Sequence, residues 1–137
     1  MPSAVEIDDG DLLLRPWTAE DAEAVGVTPD APSFAIVADG APVGRIWCAA
    51  QKRPFEVGSF LHPDARGRGL ATRSLQLVSA WLLAQGEAIV VLCTHPENER
   101  SQRVAVRAGY RRDGEIAEYA RFSDGTTRAL RFVREGV

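Results

Sequence analysis

Between Phe55 and Gly86 the chain changes its hydrophobic period once, and that change fixes the order of local structure along it. "FEVGSFL", from Phe55 to Leu61, is aromatic and β-branched with small residues between, and Pro63 closes it, which predicts a strand. Ala71, Leu75, Val78 and Leu82 then follow the helical period, and Gly86 stands where such a helix stops, which predicts a helix over 70–85. The junction, "HPDARGRG", brings Arg66 and Arg68 next to Gly67 and Gly69, with Arg73 one turn into the helix. A helix start leaves backbone N–H groups unpaired and carries the positive end of the macrodipole, and glycines let the chain fold close around a bound group. This order suits a phosphate.

Several glycine loops share that physics. A dinucleotide fingerprint needs a third glycine where Thr72 stands, and a P-loop needs Gly-Lys-Ser/Thr, so neither fits. A solvated basic turn remains open, as does a nucleic-acid patch built on Arg66, Arg68 and Arg73. The formal net charge of -3 weighs against nucleic acid for the molecule as a whole and makes these cations a local feature.

With 137 residues, 45% hydrophobic and 26% charged, the chain has the length and apolar content of one domain over residues 1–137. No apolar run reaches membrane-spanning length, and "MPSAVEIDDGD" is acidic where a secretion signal is basic and then apolar, so a cytoplasmic protein is expected. Cys48 and Cys93 lie in separate strand-like runs without Cys-x-x-Cys spacing, which predicts core thiols and no metal site. His62 and His95 each precede a proline at a strand end and are read as structural.

"DLLLRPW" reads as an opening strand and "TAEDAEAV" as a short helix capped by Thr18, ended by Pro29 and Pro32. "SFAIVADGAPVGRIWCAA" is a hairpin about Asp39-Gly40. The apolar run over 88–94 is a central strand, parallel to the strand of Glu56, and a helix follows over 98–108 with Gly109 as its stop. "EIAEYARF" and "TTRALRFVR" flank Ser123-Asp124-Gly125 as a last hairpin. The order is strand, helix, three strands, helix, strand, helix, two strands, an α/β unit of the α+β kind.

Arg66-Gly67-Arg68-Gly69-Leu70-Ala71 matches Gln/Arg-x-x-Gly-x-Gly/Ala, and "PENERSQRVAVRAGYRRDG" carries Asn98, Ser101, Gly109 and Tyr110 at the spacing of a second signature. Together with the element order, these motifs resemble the GNAT superfamily of N-acyltransferases over nearly the whole chain. The branch they are most similar to is that of ribosomal-protein N-terminal acetyltransferases. The departure is a segment between residues 25 and 33 too short for the second helix many members have. That shortfall leaves the acceptor side open, which fits a bulky acceptor, a partner subunit or a homodimer.

The resemblance implies a mixed, mostly antiparallel sheet flanked by helices, with a parallel central strand pair. It implies acetyl-CoA as cofactor and an amine acceptor, with direct transfer in a ternary complex and no nucleic acid or membrane partner. By position it assigns the pyrophosphate to Arg66, Gly67, Arg68, Gly69, Leu70, Ala71 and Thr72. The pantetheine arm goes to Asn98 and the carbonyl to the backbone of Phe60 and Leu61. Glu56 falls where several members carry the base. The tyrosine that many members use as acid is Ala105 here, so Ser101 inherits that role, with Tyr119 as the fallback. From the residues alone Asn98 is a helix cap, rivalled by a capping box over 94–97, and Tyr110 is core filling. An acyl-CoA-binding module without turnover is the alternative reading.

Overall fold

A computed structural model describes residues 6–25, 33–49 and 54–136. The segment between residues 25 and 33, including Pro29 and Pro32, lies largely outside them. Eight strands form one sheet in the order β1-β2-β3-β4-β5-β6-β8-β7. Short β1 (Ile7–Asp8) pairs with β2 (Leu12–Pro16), and α1 (Ala19–Val25) follows. Thr18 and Asp21 bond reciprocally at the head of α1, as in a capping box. The predicted hairpin is present as β3 (Ser33–Ala38) and β4 (Ala41–Ala49), turning at Asp39 and Gly40, both at positive φ.

Among the described residues β5 (Phe55–Leu61) and β6 (Ile89–Thr94) are the one parallel pair, and every other ladder is antiparallel. Between them run a 3-10 turn, Pro63–Ala65, and α2 (Leu70–Ala84), whose C-cap is Gln85. Leu75, Val78 and Leu82 of α2 pack on Val57 and Val90 in the main core. This is the expected geometry of a strand-helix-strand crossover, the helix covering the strands it joins.

α3 (Glu99–Arg107) starts at Asn98, whose Oδ1 accepts from the Ser101 N–H at 3.1 Å, so Asn98 is the cap and the box over 94–97 is not. Tyr110 is buried as expected, its phenol donating to Ser79 Oγ at 2.5 Å while Ser79 donates to the Leu75 carbonyl at 2.6 Å. Burial pushes the Tyr110 phenol up to about 12.

The last hairpin is displaced from its expected place. Its first strand is β7 (Arg111–Ile116), not the run around Tyr119, while its second, β8 (Ala129–Glu135), falls in the expected run "TTRALRFVR". β7 is an edge strand with no buried residue, and its ladder with β8 shifts register between Arg112 and Glu115. It therefore lacks the alternation that marks a strand in sequence. Tyr119 consequently lies in the connection 117–128, which closes through Tyr119 N–H to Thr127 and Phe122 N–H to Thr126.

Candidate functional site

The ladder between β5 and β6 consists of two registered pairs, Phe55 with Val90 and Glu56 with Val91. Beyond them β5 stays with β4 as far as Leu61, and β6 stays with β8 as far as Thr94. The sheet therefore splits in its middle, and Glu56 stands at the apex of the split. His62 N–H donates to the Val43 carbonyl at 2.8 Å. By strand alternation the amides of Leu61 and Ser59 then face the opening, while that of Phe60 faces β4. Of the two amides expected to serve a carbonyl, Leu61 is thus the one aimed into the split.

A cavity of about 360 Å³ fills the opening, walled by residues 58–61 on one strand and 92–95 on the other. Trp47, Arg66, Asn98, Arg100, Ser101 and Phe122 are among the other residues that line it. The Trp47 ring lies across Gly58, where a Cβ would come within 2.2 Å of it, and the Arg45 guanidinium lies over the ring at 4.4 Å from its centroid. Any larger residue at position 58 would drive the indole out of the cavity wall.

A second hollow of about 260 Å³ adjoins the first through Leu61, Arg66, Ala71, Arg100 and Val104. Its floor is the turn into α2, with Gly67 at φ +86° and Gly69 at φ +74°. That left-handed region strains any residue with a Cβ. No protein atom lies within 4 Å of a Cβ built at either glycine, so the space above them is open. Gly69 is itself the N-cap and offers no side chain, leaving the first N–H groups of α2 for an outside acceptor. The sequence expected an anion cradle here, and at that place the backbone offers open space and uncapped N–H groups.

The predicted cofactor residues divide between the two hollows. Phe60, Leu61, Arg66, Ala71, Asn98 and Ser101 line the first, and Gly67, Gly69, Leu70 and Thr72 the second. The Arg66 guanidinium sits 5.9 Å from the Phe60 ring centroid. The Arg68 side chain is not brought to either, since it reaches Asp39 at 3.0 Å. Arg73 likewise pairs with Asp9 and Asp11, each at 2.9 Å. A nucleic-acid patch on Arg66, Arg68 and Arg73 is disfavoured by this, because two of the three cations already have carboxylates.

Glu56 is half-buried and accepts a hydrogen bond from the Tyr119 phenol. The sequence placed these residues in separate roles, Glu56 as base and Tyr119 as fallback acid, whereas the fold couples them. Burial, and then the bond and charge of Glu56, raise the Tyr119 pKa above its ordinary value. Tyr119 stacks on Phe122, and Phe122 meets the His95 ring edge-on at 4.9 Å. His95 Nδ1 accepts from the Glu97 N–H at 3.0 Å, which leaves Nε2 to donate to Asp124 at 2.8 Å. His95, Glu97 and Asp124 bring ligand-type atoms within 4.8 Å of one another, yet both ring nitrogens of His95 are already committed. It acts as a clasp that fixes the connection 117–128 beside the cavity. His62 is also local in its bonding, accepting from the Asp64 N–H at 3.3 Å.

Ala105 is fully buried among core residues and supplies no hydroxyl. Cys48 is buried, and burial pushes its thiol up to about 12, which removes it as a nucleophile. Cys93 lines the first cavity. The sequence reading overlooked Arg100, Arg103 and Arg107, which line the second hollow from α3. Their i, i+3, i+7 spacing was visible, but a helix of unknown orientation gives no reason to aim them anywhere.

A glycine turn with free N–H groups at a helix head, joined to a cleft between splayed parallel strands, has the form that receives an extended anionic ligand at the carboxyl end of the parallel strands. The chain belongs to the GNAT acetyltransferase family, whose domain model, "Acetyltransferase (GNAT) domain", matches residues 28–111. The family uses acetyl-CoA. No curated protein matches the chain in sequence. Among solved structures, a GNAT-family acetyltransferase from Bacillus anthracis superposes with a TM-score of 0.82 at 18% identity, covering 96% of this chain and 98% of that one. The ribosomal-protein-S5-alanine acetyltransferase of Vibrio fischeri gives 0.79 at 15% identity, with coverage of 96% and 97%. The ribosomal-protein acetyltransferase RimL in complex with coenzyme A gives 0.81 at 15%, with coverage of 96% and 98%. At such identities the likeness is one of fold.

Proposed function

We propose that residues 1–137 act as one N-acetyltransferase domain that transfers acetyl from acetyl-CoA directly to an amine. The observation that carries this reading is the cradle itself: two left-handed glycines and an uncapped fifteen-residue helix beside a split in the sheet. The pyrophosphate lies on the backbone of 66–72 with Arg66 beside it, and Asn98 and Ser101 line the path of the pantetheine arm. The thioester enters the split, where the Leu61 amide polarises its carbonyl. Glu56 takes one proton from the protonated amine, the neutral amine attacks the thioester carbonyl, and the tetrahedral intermediate collapses to the amide and the thiolate, the second proton lost by the nitrogen passing to the thiolate with Ser101 the candidate relay on α3. Tyr119 is the weaker candidate for that role, because its proton is already committed to Glu56. The acceptor is an amine on a protein or peptide N-terminus or on a small metabolite. The fold shared with ribosomal-protein acetyltransferases supports the first of these.

Acetyl-CoA should raise the melting temperature, since a ligand bound only by the folded state stabilises it. The double variant Gly67→Val, Gly69→Val should lose that rise, because both positions are left-handed and a branched side chain fills the space meant for phosphate. An undiminished shift in a folded double variant would remove the pyrophosphate assignment. The missing hydroxyl at Ala105 favours one second reading, a module that binds acyl-CoA without turnover. Binding of acetyl-CoA with no transfer to any amine in a peptide and polyamine panel would select it.

A further inference from the structure

The second hollow is more basic than a pyrophosphate alone requires. One side of it is the backbone cradle of 67–72 with Arg66, and the opposite side is α3, which presents Arg100, Arg103 and Arg107. Like charges at these helical spacings oppose helix formation unless something neutralises them. Several arginines elsewhere are neutralised: Arg68 holds Asp39, Arg73 holds Asp9 and Asp11, and Arg112 and Arg128 share Glu115. Among the described residues Arg66, Arg100 and Arg107 have no carboxylate within 4.0 Å, and Arg103 reaches only Glu99, at 4.0 Å. In a chain of net charge -3, this concentration of unneutralised cations around one hollow marks the place of a further anion.

Coenzyme A carries two separate anionic groups, a pyrophosphate and a phosphate monoester on the ribose. The backbone cradle accounts for the first. We propose that Arg103 and Arg107, flanked by Arg100, form a site for the second, so that the protein distinguishes CoA from 3′-dephospho-CoA. A phosphate monoester is close to a dianion at neutral pH and accepts several charge-assisted hydrogen bonds, which suits planar guanidinium groups spaced along one helix face. This inference rests on the acyl-CoA reading given above and adds the determinant of cofactor form.

The experiment is calorimetric titration of the full chain with CoA and with 3′-dephospho-CoA at one fixed ionic strength. CoA should bind at least tenfold more tightly. In the double variant Arg103→Gln, Arg107→Gln the gap should close through loss of CoA affinity alone. In Gly67→Val, Gly69→Val both ligands should weaken together. Melting of each variant without ligand reports whether it is folded. On the native protein, raising salt from low to high should narrow the gap, a measurement that needs no variant. Equal affinity of the native protein for the two ligands overturns the proposal and leaves the acyl-CoA reading standing. Equal weakening of both ligands in the arginine variant also overturns it, assigning the arginines to the pyrophosphate. Binding of neither ligand removes both readings.

Discussion

At the scale of single residues, the site depends on where a proton is held. Glu56 receives the Tyr119 phenol, and Tyr119 is itself positioned by Phe122 and the His95–Asp124 clasp. Replacing Glu56 with Gln should lower turnover by roughly a hundredfold and remove the acidic limb of the pH–rate profile, while acetyl-CoA affinity stays near that of the native protein. Tyr119→Phe should be milder, because the phenol donates to the carboxylate and the carboxylate can still take the proton of the amine. A loss in Tyr119→Phe equal to that in Glu56→Gln would instead make the phenol the acid that protonates the thiolate. Steady-state kinetics across pH on both variants decide this. Glu56 could be singled out in the sequence from its place on the strand before the glycine turn. Its partner could not, since 63 residues separate them and no local pattern reports a contact of that range.

At the scale of elements, the two helix heads differ in a way the sequence half disclosed. α2 begins on a glycine with no capping side chain, whereas α3 begins on Asn98, whose side chain is spent on the Ser101 N–H. Asn98→Ala should therefore cost about 1 kcal/mol of stability as a lost cap. If Asn98 also meets the pantetheine arm, acetyl-CoA affinity should fall beyond what a destabilised helix explains, so chemical denaturation and titration on the same variant separate the two effects. Helix periods, the Asp39-Gly40 hairpin and the buried β6 were all legible, because each places a periodic or turn-specific signal within a few residues. β7 was not. A strand whose residues are nearly all exposed carries no apolar alternation, and only its backbone ladder with β8 defines it. The run "EIAEYARF" is more strand-like in sequence, although Tyr119 bonds to Glu56 and Phe122 lines the cavity, and neither joins a ladder.

At the scale of the whole molecule, buried charge links stability to pH. Asp21 is 1% exposed and is held by both Arg15 guanidinium nitrogens, at 2.7 and 2.8 Å, with Thr18 bonded to it as well. The Arg15 hydrogen bonds set its carboxyl below the ordinary 3.8. Asp124 is lowered to about 2, chiefly by the Thr126 N–H, then by its side chain and by His95. A carboxylate depressed in the folded state contributes stability that is complete above the unfolded value and is lost as pH falls through the folded one. The melting temperature should thus hold from neutrality to about pH 4 and fall below it. Asp21→Asn should lower stability near neutrality by about 2 kcal/mol and flatten that acidic fall, and melting curves taken from pH 7 to pH 2 test both. By itself the sequence determined the order of the helices and longer strands and the glycine turn that opens α2, because spacing, backbone permissiveness and side-chain chemistry act within a turn or a strand. Only the tertiary structure decided that the sheet splits beyond Glu56, that Tyr119 reaches it, that Arg68 and Arg73 turn away to carboxylates and that three arginines of α3 face the cradle, because each depends on which distant segments the packed core brings together.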